Sequence, residues 1–497
     1  MLRKKRLQNT GLVLLFTLLA FLVMGYHPGF EDDGIYLTSV KADLNPALYP
    51  HNADFFRLQT QATVFDNWMA FFVHWTGMPL AWSELAWQLV SLFLILWAAE
   101  RIAAQLFEEV RARWAAVAMV AAMFTLPVAG TALNLADQHL HPRNLATALI
   151  LVAITRILEG KSWDEGRWQA LPLLVIALVL HPIMAVLGMS FCGFLAMALM
   201  EPVPFLARAT EGSLAAAAAP LAWIFAPASD SWREALSTRT YYSLYRWTWY
   251  EWLGALGPLV LFWALWRVAE RRGEERLARF ALAVLAFGVF YQAVAMAILG
   301  PDALVRLSPL QPMRYLHLVY LFMALVGGGL LGRLVLRRSA WRWAVYLVVI
   351  NGSMFWVQRV FIDQGAHLEL PDMATANPWI QAFDWARGHT PVSAYFALEP
   401  RYLAEPGEGF HSFRAIAERS QLADGIKDTA VVMQVPSLGP VWHLQEMAEA
   451  GWEHFAPADF ARLKGQFGVD WVVVRYPQPL GLDCRWHNGQ LAVCRVP

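Results

Sequence analysis

Residues 11–26 read GLVLLFTLLAFLVMGY, and apolar stretches of this kind decide the fold. No charged side chain interrupts this stretch, and the basic run Arg3-Lys4-Lys5-Arg6 precedes it. A transmembrane helix needs about 20 mostly apolar residues, with a lower limit of about 17. Because no small-x-small cleavage site follows, we expect a retained membrane anchor and not a signal peptide.

Further apolar stretches repeat this pattern, so the sequence predicts a mainly α-helical, polytopic membrane protein with about eleven spans. The others lie at residues 85–106, 113–130, 144–158, 171–182, 183–200, 214–228, 252–269, 280–299, 315–336 and 341–360. The stretch 171–200 could be one long helix or two short ones that meet at His181-Pro182, because proline cannot donate a helix hydrogen bond.

The composition excludes several other classes of protein. Charged residues make up only 16% of the chain, whereas soluble domains have about 25%. Aromatic residues, at 13%, argue against a disordered chain. The net charge is zero, which gives no support to nucleic-acid binding. Three cysteines are too few for a disulfide scaffold or a four-cysteine zinc site.

Basic residues predict the orientation, because Lys and Arg collect in cytoplasmic loops. The N-terminal run and the arginines within 267–279 and 333–342 fall on one side if 171–200 forms two spans. The N-terminus is then inside and the C-terminus outside. The predicted outside segments are 27–84, 131–143, 229–251, 300–314 and everything after about 361.

The longer outside segments carry structural signals of their own. The stretch Phe55–Thr76 is amphipathic, so it is expected to lie flat in the membrane interface or to pack on the bundle. The aromatic residues of 229–251 indicate a belt at the headgroup level. Residues 1–360 are expected to form the membrane domain, and residues 361–497 a small soluble α/β domain outside the cytoplasm.

Within the tail, Ala430–Val435 and Trp471–Arg475 favour strands, whereas Pro378–Arg387 and Pro457–Gly465 favour helices. Cys484 and Cys494 flank the turn signal Asn488-Gly489, which indicates a hairpin. A disulfide between them is one alternative outside the cytoplasm, and two free thiols are the other. Cys192 lies in a span and is interpreted as ordinary core.

The first candidate site residues are Glu31-Asp32-Asp33, directly after the first span. Three adjacent acids repel one another, which raises the pKa of at least one and suits a general base. A divalent cation could neutralise them, although no cofactor is certain. The alternative is a solvated acidic turn that caps the helix beginning near Tyr36.

Two other outside loops contribute candidates. Asp137, His139, His141 and Arg143 put an acid, two histidines and an arginine at one membrane face. The histidines would form a metal pair only in an extended segment, since alternate residues then share a side. Arg143 and Arg314 are candidates for binding a phosphate, or else interfacial anchors. Phosphate-binding, serine-hydrolase and zinc-protease motifs are missing, which argues against an ATP-driven pump or a zinc protease.

This pattern resembles the GT-C glycosyltransferase superfamily, whose polytopic membrane enzymes transfer sugars from polyprenyl-phosphate carriers. The resemblance covers about residues 1–360: an N-in first span, a long outside loop that begins with acids, amphipathic helices and many further spans. Protein O-mannosyltransferases and aminoarabinose transferases carry an Asp-Glu pair just after the first span, with an aromatic residue four positions beyond the Asp. Here Asp32-Asp33 matches the pair, with Asp in place of Glu, and Tyr36 matches the aromatic residue.

The resemblance implies an inverting glycosyltransferase that acts on the extracytoplasmic face of a bacterial cytoplasmic membrane. Asp32 is the implied base and Asp33 its neighbour in the catalytic pair, and both Asp33 and Asp137 are expected to be orienting or cation-binding acids. Arg143 and Arg314 would contact the phosphate. The other expected substrate-binding residues are Glu31, Tyr36, His139 and His141. The implied partners are a polyprenyl-phosphate-linked sugar, the lipid bilayer and an acceptor that the sequence leaves unspecified.

Three other readings remain open at this point. A polysaccharide polymerase or ligase of another family would rely on the outside arginines Arg239, Arg246, Arg306 and Arg314. A lipid or solute transporter would explain a broken helix at His181-Pro182. An assembly subunit would use the tail as a sensor, with residues 411–420 as its solvated face.

Overall fold

A computed structural model describes residues 2–160, 163–199, 228–362, 365–405 and 408–497. Within these ranges, seven helices are long and apolar enough to cross a membrane, which identifies an integral membrane protein. They are Leu7–Met24, Leu80–Leu106, Pro182–Leu199, Trp249–Arg271, Glu275–Leu299, Pro312–Leu336 and Ala340–Phe361.

The elements follow one another along the chain as a helical part and then a mixed tail. The helical part contains α1 (Leu2–Met24), α2 (Tyr36–Leu44), α3 (Asp54–Thr60), α4 (Phe65–Thr76), α5 (Leu80–Leu106), α6 (Val110–Ala122), α7 (Pro142–Glu159), α8 (Trp163–Leu180), α9 (Pro182–Leu199), α10 (Asp230–Ser237), α11 (Trp249–Arg271), α12 (Glu275–Leu299), α13 (Tyr315–Leu331) and α14 (Ala340–Phe361). The tail contains α15 (Pro378–His389), β1 (Tyr395–Ala397), α16 (Phe413–Ala417), β2 (Ser420–Gln421), α17 (Lys427–Gln434), α18 (Gly439–Ala448), α19 (Pro457–Phe467), β3 (Trp471–Arg475), β4 (Asp483–His487) and β5 (Leu491–Arg495).

The predicted number of about eleven spans is not confirmed. The stretch 113–130 forms only the 13-residue helix α6, which at 1.5 Å per residue is too short for a hydrocarbon core of about 30 Å. Helices α7 and α8 are long enough, but each includes three charged residues. The stretch 171–200 forms two helices that meet at His181, and the predicted span 214–228 lies outside the described residues except for its last position.

Small residues let the helices of the bundle approach closely. A Cβ atom added at Gly328 of α13 would lie 2.6 Å from the backbone oxygen of Ala115 in α6. Only glycine fits at such a contact, as in other membrane helix pairs. Cys192 is buried in α9, in the same apolar core.

Charged loops meet at one end of the bundle. Arg333, just after α13, forms ion pairs with Glu109 at 3.2 Å and with Glu274 at 2.8 Å. The loops before α6 and α12 and after α13 therefore share one end. A different region of the molecule lies around the acids Glu31-Asp32-Asp33. The turn after α1, the segment before α7 and the tail meet there.

The tail holds a five-stranded sheet in the order β2-β1-β3-β5-β4. β1 runs parallel to β2 and β3, whereas β3, β5 and β4 pair antiparallel. A disulfide joins Cys484 and Cys494 across the β4–β5 hairpin. The expected strand at Trp471–Arg475 and the expected helices at both proline-initiated runs are present.

The expected strand at Ala430–Val435 is wrong, because Ala430–Gln434 belong to helix α17 and Val435 is the residue that follows it. The Asp424 carboxylate accepts hydrogen bonds from the backbone N–H groups of Ile426 and Lys427, which favours a helix start. Val431 and Val432 are fully buried. Tertiary burial of these β-branched side chains therefore outweighs their preference for strands.

The tail packs on the first loop and shares a core with it. Ile35, Tyr49 and Phe55 of the loop lie in one buried cluster with Val432 and Trp442 of the tail. The Tyr49 hydroxyl donates to the backbone oxygen of Arg414, and Lys41 pairs with Glu418 at 2.7 Å. The tail segment that contains Arg414 and Glu418 is therefore a contact surface, not the solvated face that one reading assigned to it.

The amphipathic stretch Phe55–Thr76 is two helices, α3 and α4, separated by a turn at residues 61–64. Its apolar residues divide accordingly: Phe56 and Met69 are buried, whereas Phe71 and Trp75 are exposed. The aromatic segment 229–251 divides in the same way, with Trp232 and Tyr242 buried and Tyr245, Trp249 and Tyr250 exposed. Both segments thus combine packing on the protein with an exposed aromatic surface.

Candidate functional site

The three acids after α1 lie in a single 3-10 turn, Glu31–Gly34. The turn begins with left-handed backbone at Gly29 (φ 82°) and Glu31 (φ 53°). The backbone N–H of Glu31 donates to Phe410 of the tail at 2.8 Å. Because the chain turns so tightly here, neighbouring acids project into different surroundings.

Asp33 points into the protein. Its side chain is 1% exposed, and its Oδ2 accepts a 2.8 Å hydrogen bond from the Gly29 N–H. Burial, reinforced by the nearby Glu84 and Asp32 carboxylates, raises the pKa of Asp33 well above its usual value. A buried carboxyl that already holds the turn is poorly placed to meet a substrate, so the geometry favours a positioning role over the predicted catalytic one.

Asp32 points the other way and keeps 32% of its side chain exposed. Its Oδ1 lies 3.0 Å from Lys427 Nζ and its Oδ2 lies 3.3 Å from His141 Nε2. Burial raises the pKa of Asp32, but the Lys427 ammonium and the His141 ring outweigh burial and hold this pKa well below its usual range. Asp32 is therefore ionised at neutral pH and accessible.

Lys427 is the main site residue that the sequence did not reveal. It begins helix α17 of the tail, 395 residues from Asp32, and also forms an ion pair with Glu31. Its ammonium places a positive charge beside Glu31 and Asp32, where the sequence left room for a divalent cation. No local pattern around Lys427 marks it, because only the docking of the tail brings it to the acids.

The second loop forms a buried ion pair at the start of α7. The Arg143 guanidinium donates to both carboxylate oxygens of Asp137, through Nε at 3.1 Å and through a second nitrogen. Asn144 fixes this loop, since its side-chain oxygen accepts from the Asp137 N–H at 3.0 Å. Gln88 of α5 donates to the Asp137 backbone oxygen at 2.7 Å. Arg143 is thus charge-balanced by Asp137.

His141 caps helix α7 and orients Asp32. Its Nδ1 accepts a 2.9 Å hydrogen bond from the Arg143 N–H, so the proton of the neutral ring must sit on Nε2, which faces Asp32. Burial, with the Arg143 charge, lowers the pKa of His141. The neutral ring therefore turns its Nε2–H towards the Asp32 carboxylate, 3.3 Å away, although this contact lacks hydrogen-bond geometry.

His139 lies beside His141, with 5.8 Å between the ring centroids. Its Nε2 lies 4.0 Å from Asp33 Oδ1, and burial lowers its pKa to about 3. Both ring nitrogens of His139 and the Nε2 of His141 make no hydrogen bond within the described residues. A metal pair of these two histidines stays a prediction.

Arg314 lies at the start of α13 and interacts electrostatically with Asp32, Arg143 and Tyr242. Its Nε is buried and makes no hydrogen bond within the described part of the chain. Among the described residues, no carboxylate lies within 4 Å of its guanidinium. An arginine that is desolvated and lacks an acidic partner is well suited to bind an anion.

Two tyrosines adjoin these residues: Tyr36 contacts His141, and Tyr242 interacts with Arg314. The Tyr36 ring stands edge-on to His141 with 4.9 Å between ring centroids. A pocket of about 160 Å³ lies beside Tyr242, and Arg233 and Arg246 are among the residues that line it. Five side chains from three segments of the sequence thus converge: Asp32, Asp137, His141, Arg143 and Arg314.

Comparison with known proteins adds no assignment. No model of a known protein family matches the chain, and no curated protein matches its sequence. Any function must therefore be inferred from the chemistry of this site.

Proposed function

We propose that this protein is a membrane glycosyltransferase that transfers a sugar from a polyprenyl-phosphate carrier to an acceptor, on the extracytoplasmic face. The observation that carries the proposal is the pairing of an accessible, ionised Asp32 with an arginine, Arg314, that lacks a carboxylate partner. One group accepts a proton and the other accepts the negative charge of a leaving phosphate.

The proposed reaction is a single displacement. The acceptor hydroxyl oxygen attacks the anomeric carbon while the bond from that carbon to the phosphate oxygen breaks, and the electron pair leaves with the lipid phosphate. The hydroxyl proton passes to Asp32. Displacement from the face opposite the phosphate inverts the sugar carbon.

Lys427 and His141 support this step by fixing the base. Each holds one Asp32 oxygen, which leaves further lone pairs of the carboxylate for the acceptor hydroxyl. Held in this way, the base loses little freedom when the acceptor arrives, and such positioning lowers the barrier to reaction.

Arg314 would stabilise the departing phosphate. A guanidinium in a partly dry site interacts with developing negative charge more strongly than it does in water. Arg143 lies close to Arg314, and its charge is already balanced by Asp137. We therefore assign the direct phosphate contact to Arg314 and the positioning of the loop to Arg143.

The test measures release of polyprenyl phosphate from a panel of synthetic polyprenyl-phosphate sugars by membranes that contain the protein. Asp32→Asn removes the proton acceptor and keeps the size of the side chain, so we expect at least about a hundredfold loss of release. Asp54→Asn, in the same loop but outside the site, serves as the matched control and should retain release.

Two outcomes would reject the proposal. Undiminished release by the Asp32→Asn variant would remove the assigned base, and would favour a polymerase or ligase that works through its arginines. Counterflow of a labelled lipid-linked sugar with no covalent product would favour a transporter.

A further inference from the structure

A second polar cluster lies next to the acidic turn, and its members come from distant parts of the sequence. Glu369 Oε2 lies 2.9 Å from His411 Nε2 and 3.5 Å from His27 Nδ1. One ligand atom from each of these three residues lies within 4.8 Å of the other two. His27 and His411 are 1% and 0% exposed, so the cluster is shielded from water.

Hydrogen bonds satisfy only part of this cluster, through the contact of His411 Nε2 with Glu369 Oε2. Neither ring nitrogen of His27 makes a hydrogen bond within the described residues, and the same holds for Glu369 Oε1. The contact of His27 with Glu369 lacks hydrogen-bond geometry, although the two atoms are close. Buried polar atoms without partners are rare in folded proteins and point to an unseen ligand.

The backbone holds the three side chains in place. His27 lies between two short β-bridges, one between Tyr26 and Leu368 and the other between Phe30 and His411. The first bridge positions the neighbouring residue Glu369, and the second positions His411 itself. The cluster therefore does not depend on flexible side chains meeting by chance.

The His411 ring is also oriented from behind. Its Nδ1 lies 3.4 Å from the Glu408 backbone oxygen, which in turn accepts a 2.8 Å hydrogen bond from the Asn377 side chain. With its proton on Nδ1, the ring can offer the Nε2 lone pair to an ion, which would replace the hydrogen bond to Glu369 Oε2. Histidines that bind metals are commonly held in this way by a backbone carbonyl.

We propose that His27, Glu369 and His411 bind a divalent first-row transition-metal ion, with Zn²⁺ as the best fit. Two imidazoles and one carboxylate form a ligand set that zinc accepts, with a fourth position for water. Ligand atoms about 2.1 Å from a tetrahedral ion lie roughly 3.4 Å apart, which is close to the two distances at Glu369. Nitrogen ligands favour such an ion over Mg²⁺ or Ca²⁺.

This site is separate from the proposed transferase site. The Phe30 ring packs between the two, with 5.9 Å to the His27 ring and 6.1 Å to the His139 ring. An ion bound here would tie the end of α1 to two segments of the tail. It would thereby fix the docking that brings Lys427 to Asp32, without taking part in the transfer.

The test uses the full chain, purified in detergent without a polyhistidine tag, stripped with EDTA and then incubated with ZnCl₂. After removal of free metal, elemental analysis should find about one zinc per chain. Glu369→Gln and His411→Ala should each retain less than about a tenth of that amount. The control His454→Ala alters an exposed His–Glu pair of the tail and should bind as much zinc as the unaltered chain.

Thermal unfolding gives a second measurement that does not depend on the variants. ZnCl₂ should raise the Tm of the stripped, unaltered chain, because a ligand that binds only the folded state stabilises it. An equal concentration of MgCl₂ should leave the Tm unchanged. The proposal is overturned if the unaltered chain takes up less than about 0.1 zinc per chain, or if both variants retain full zinc content.

Discussion

At the scale of single residues, Asp32 and Asp33 are adjacent in sequence but have opposite chemical environments. Asp33 is buried with a raised pKa, whereas Asp32 is a third exposed with a lowered pKa. The tight turn separates them, and Lys427 with His141 stabilises only the Asp32 carboxylate. The sequence indicated that the acids would have different pKa values, but not which acid would stay ionised.

The pH dependence of transfer tests the role of Lys427. Its ammonium lowers the pKa of Asp32, so Lys427→Met should raise that pKa and move the acid limb of the activity profile to higher pH. The variant should therefore lose more activity at acidic than at alkaline pH. The profile is measured as polyprenyl-phosphate release, with Lys464→Met as the control. An acid limb that stays in place would contradict the assignment.

The lowered pKa of Asp32 also makes the stability of the folded protein depend on pH. The folded-state pKa of Asp32 lies below its unfolded-state value of about 3.9, so its ionised form stabilises the fold above that pH. This contribution is lost as the pH falls below about 4 towards the folded-state pKa. The Tm of the unaltered chain should fall as the pH drops through that range. The Lys427→Met variant should show a smaller fall in Tm over the same range.

The buried pair of Arg143 and Asp137 should matter far more to stability than an exposed pair. Arg143→Met would leave Asp137 buried without its partner, at a cost of about 3–5 kcal/mol in the free energy of unfolding. The control Arg462→Met breaks an exposed pair with Asp459 and should cost about 0–1 kcal/mol. Equal Tm values for the two variants would refute the role given to the buried pair.

At the scale of elements, close helix contacts rest on individual glycines. Gly328 meets α6, where an added Cβ atom would lie 2.6 Å from the Ala115 oxygen. Its neighbour Gly327 has open space around it. Two adjacent glycines of one helix therefore have different structural roles, and only the packing of α13 on α6 distinguishes them.

Alanine substitutions at these two glycines test this packing. Gly328→Ala should force α13 away from α6 and destabilise the fold by roughly 1–3 kcal/mol. Gly327→Ala should be neutral or stabilising, because alanine favours a helix over glycine by roughly 0.5–1 kcal/mol. Thermal unfolding of both variants in the same detergent compares them directly. A Tm for Gly328→Ala at or above that of Gly327→Ala would contradict the contact.

At the scale of the whole molecule, the tail completes the site. It contributes Lys427, and it buries α17 and α18 against the first loop in a shared apolar cluster. Residue 361 therefore marks a change of composition but not a gap in packing. The two parts of the chain therefore do not act independently, because the tail supplies Lys427 to the acids that follow α1.

Detachment of the tail should abolish transfer, because it removes Lys427 from Asp32 although no site residue is substituted. Val432→Asp would place a charge in the shared cluster, where Val432 is fully buried. We expect faster limited proteolysis after residue 361 and a loss of polyprenyl-phosphate release. Val441→Asp, at a position 44% exposed on the same tail, is the matched control. Normal release by the Val432→Asp variant would separate the tail from the activity.

The sequence by itself determined the features that depend on local composition and period. Long apolar runs predict membrane helices. The hairpin around Asn488-Gly489 follows from turn chemistry, and strand Trp471–Arg475 follows from its run of β-favouring residues. The acids after α1 and the arginine before α13 were also marked by their position beside apolar stretches. Each of these signals lies within a few residues of the feature that it predicts.

The tertiary structure alone decided what depends on residues far apart in the chain. The burial of Val431 and Val432 makes Ala430–Gln434 helical, and the docking of the tail brings Lys427 to Asp32 and His411 to His27. The physical reason is that burial and charge pairing are set by the nearest atoms in space, whatever their separation along the chain. A residue in the tail can therefore set the protonation of an acid near the N-terminus, and no local pattern records it.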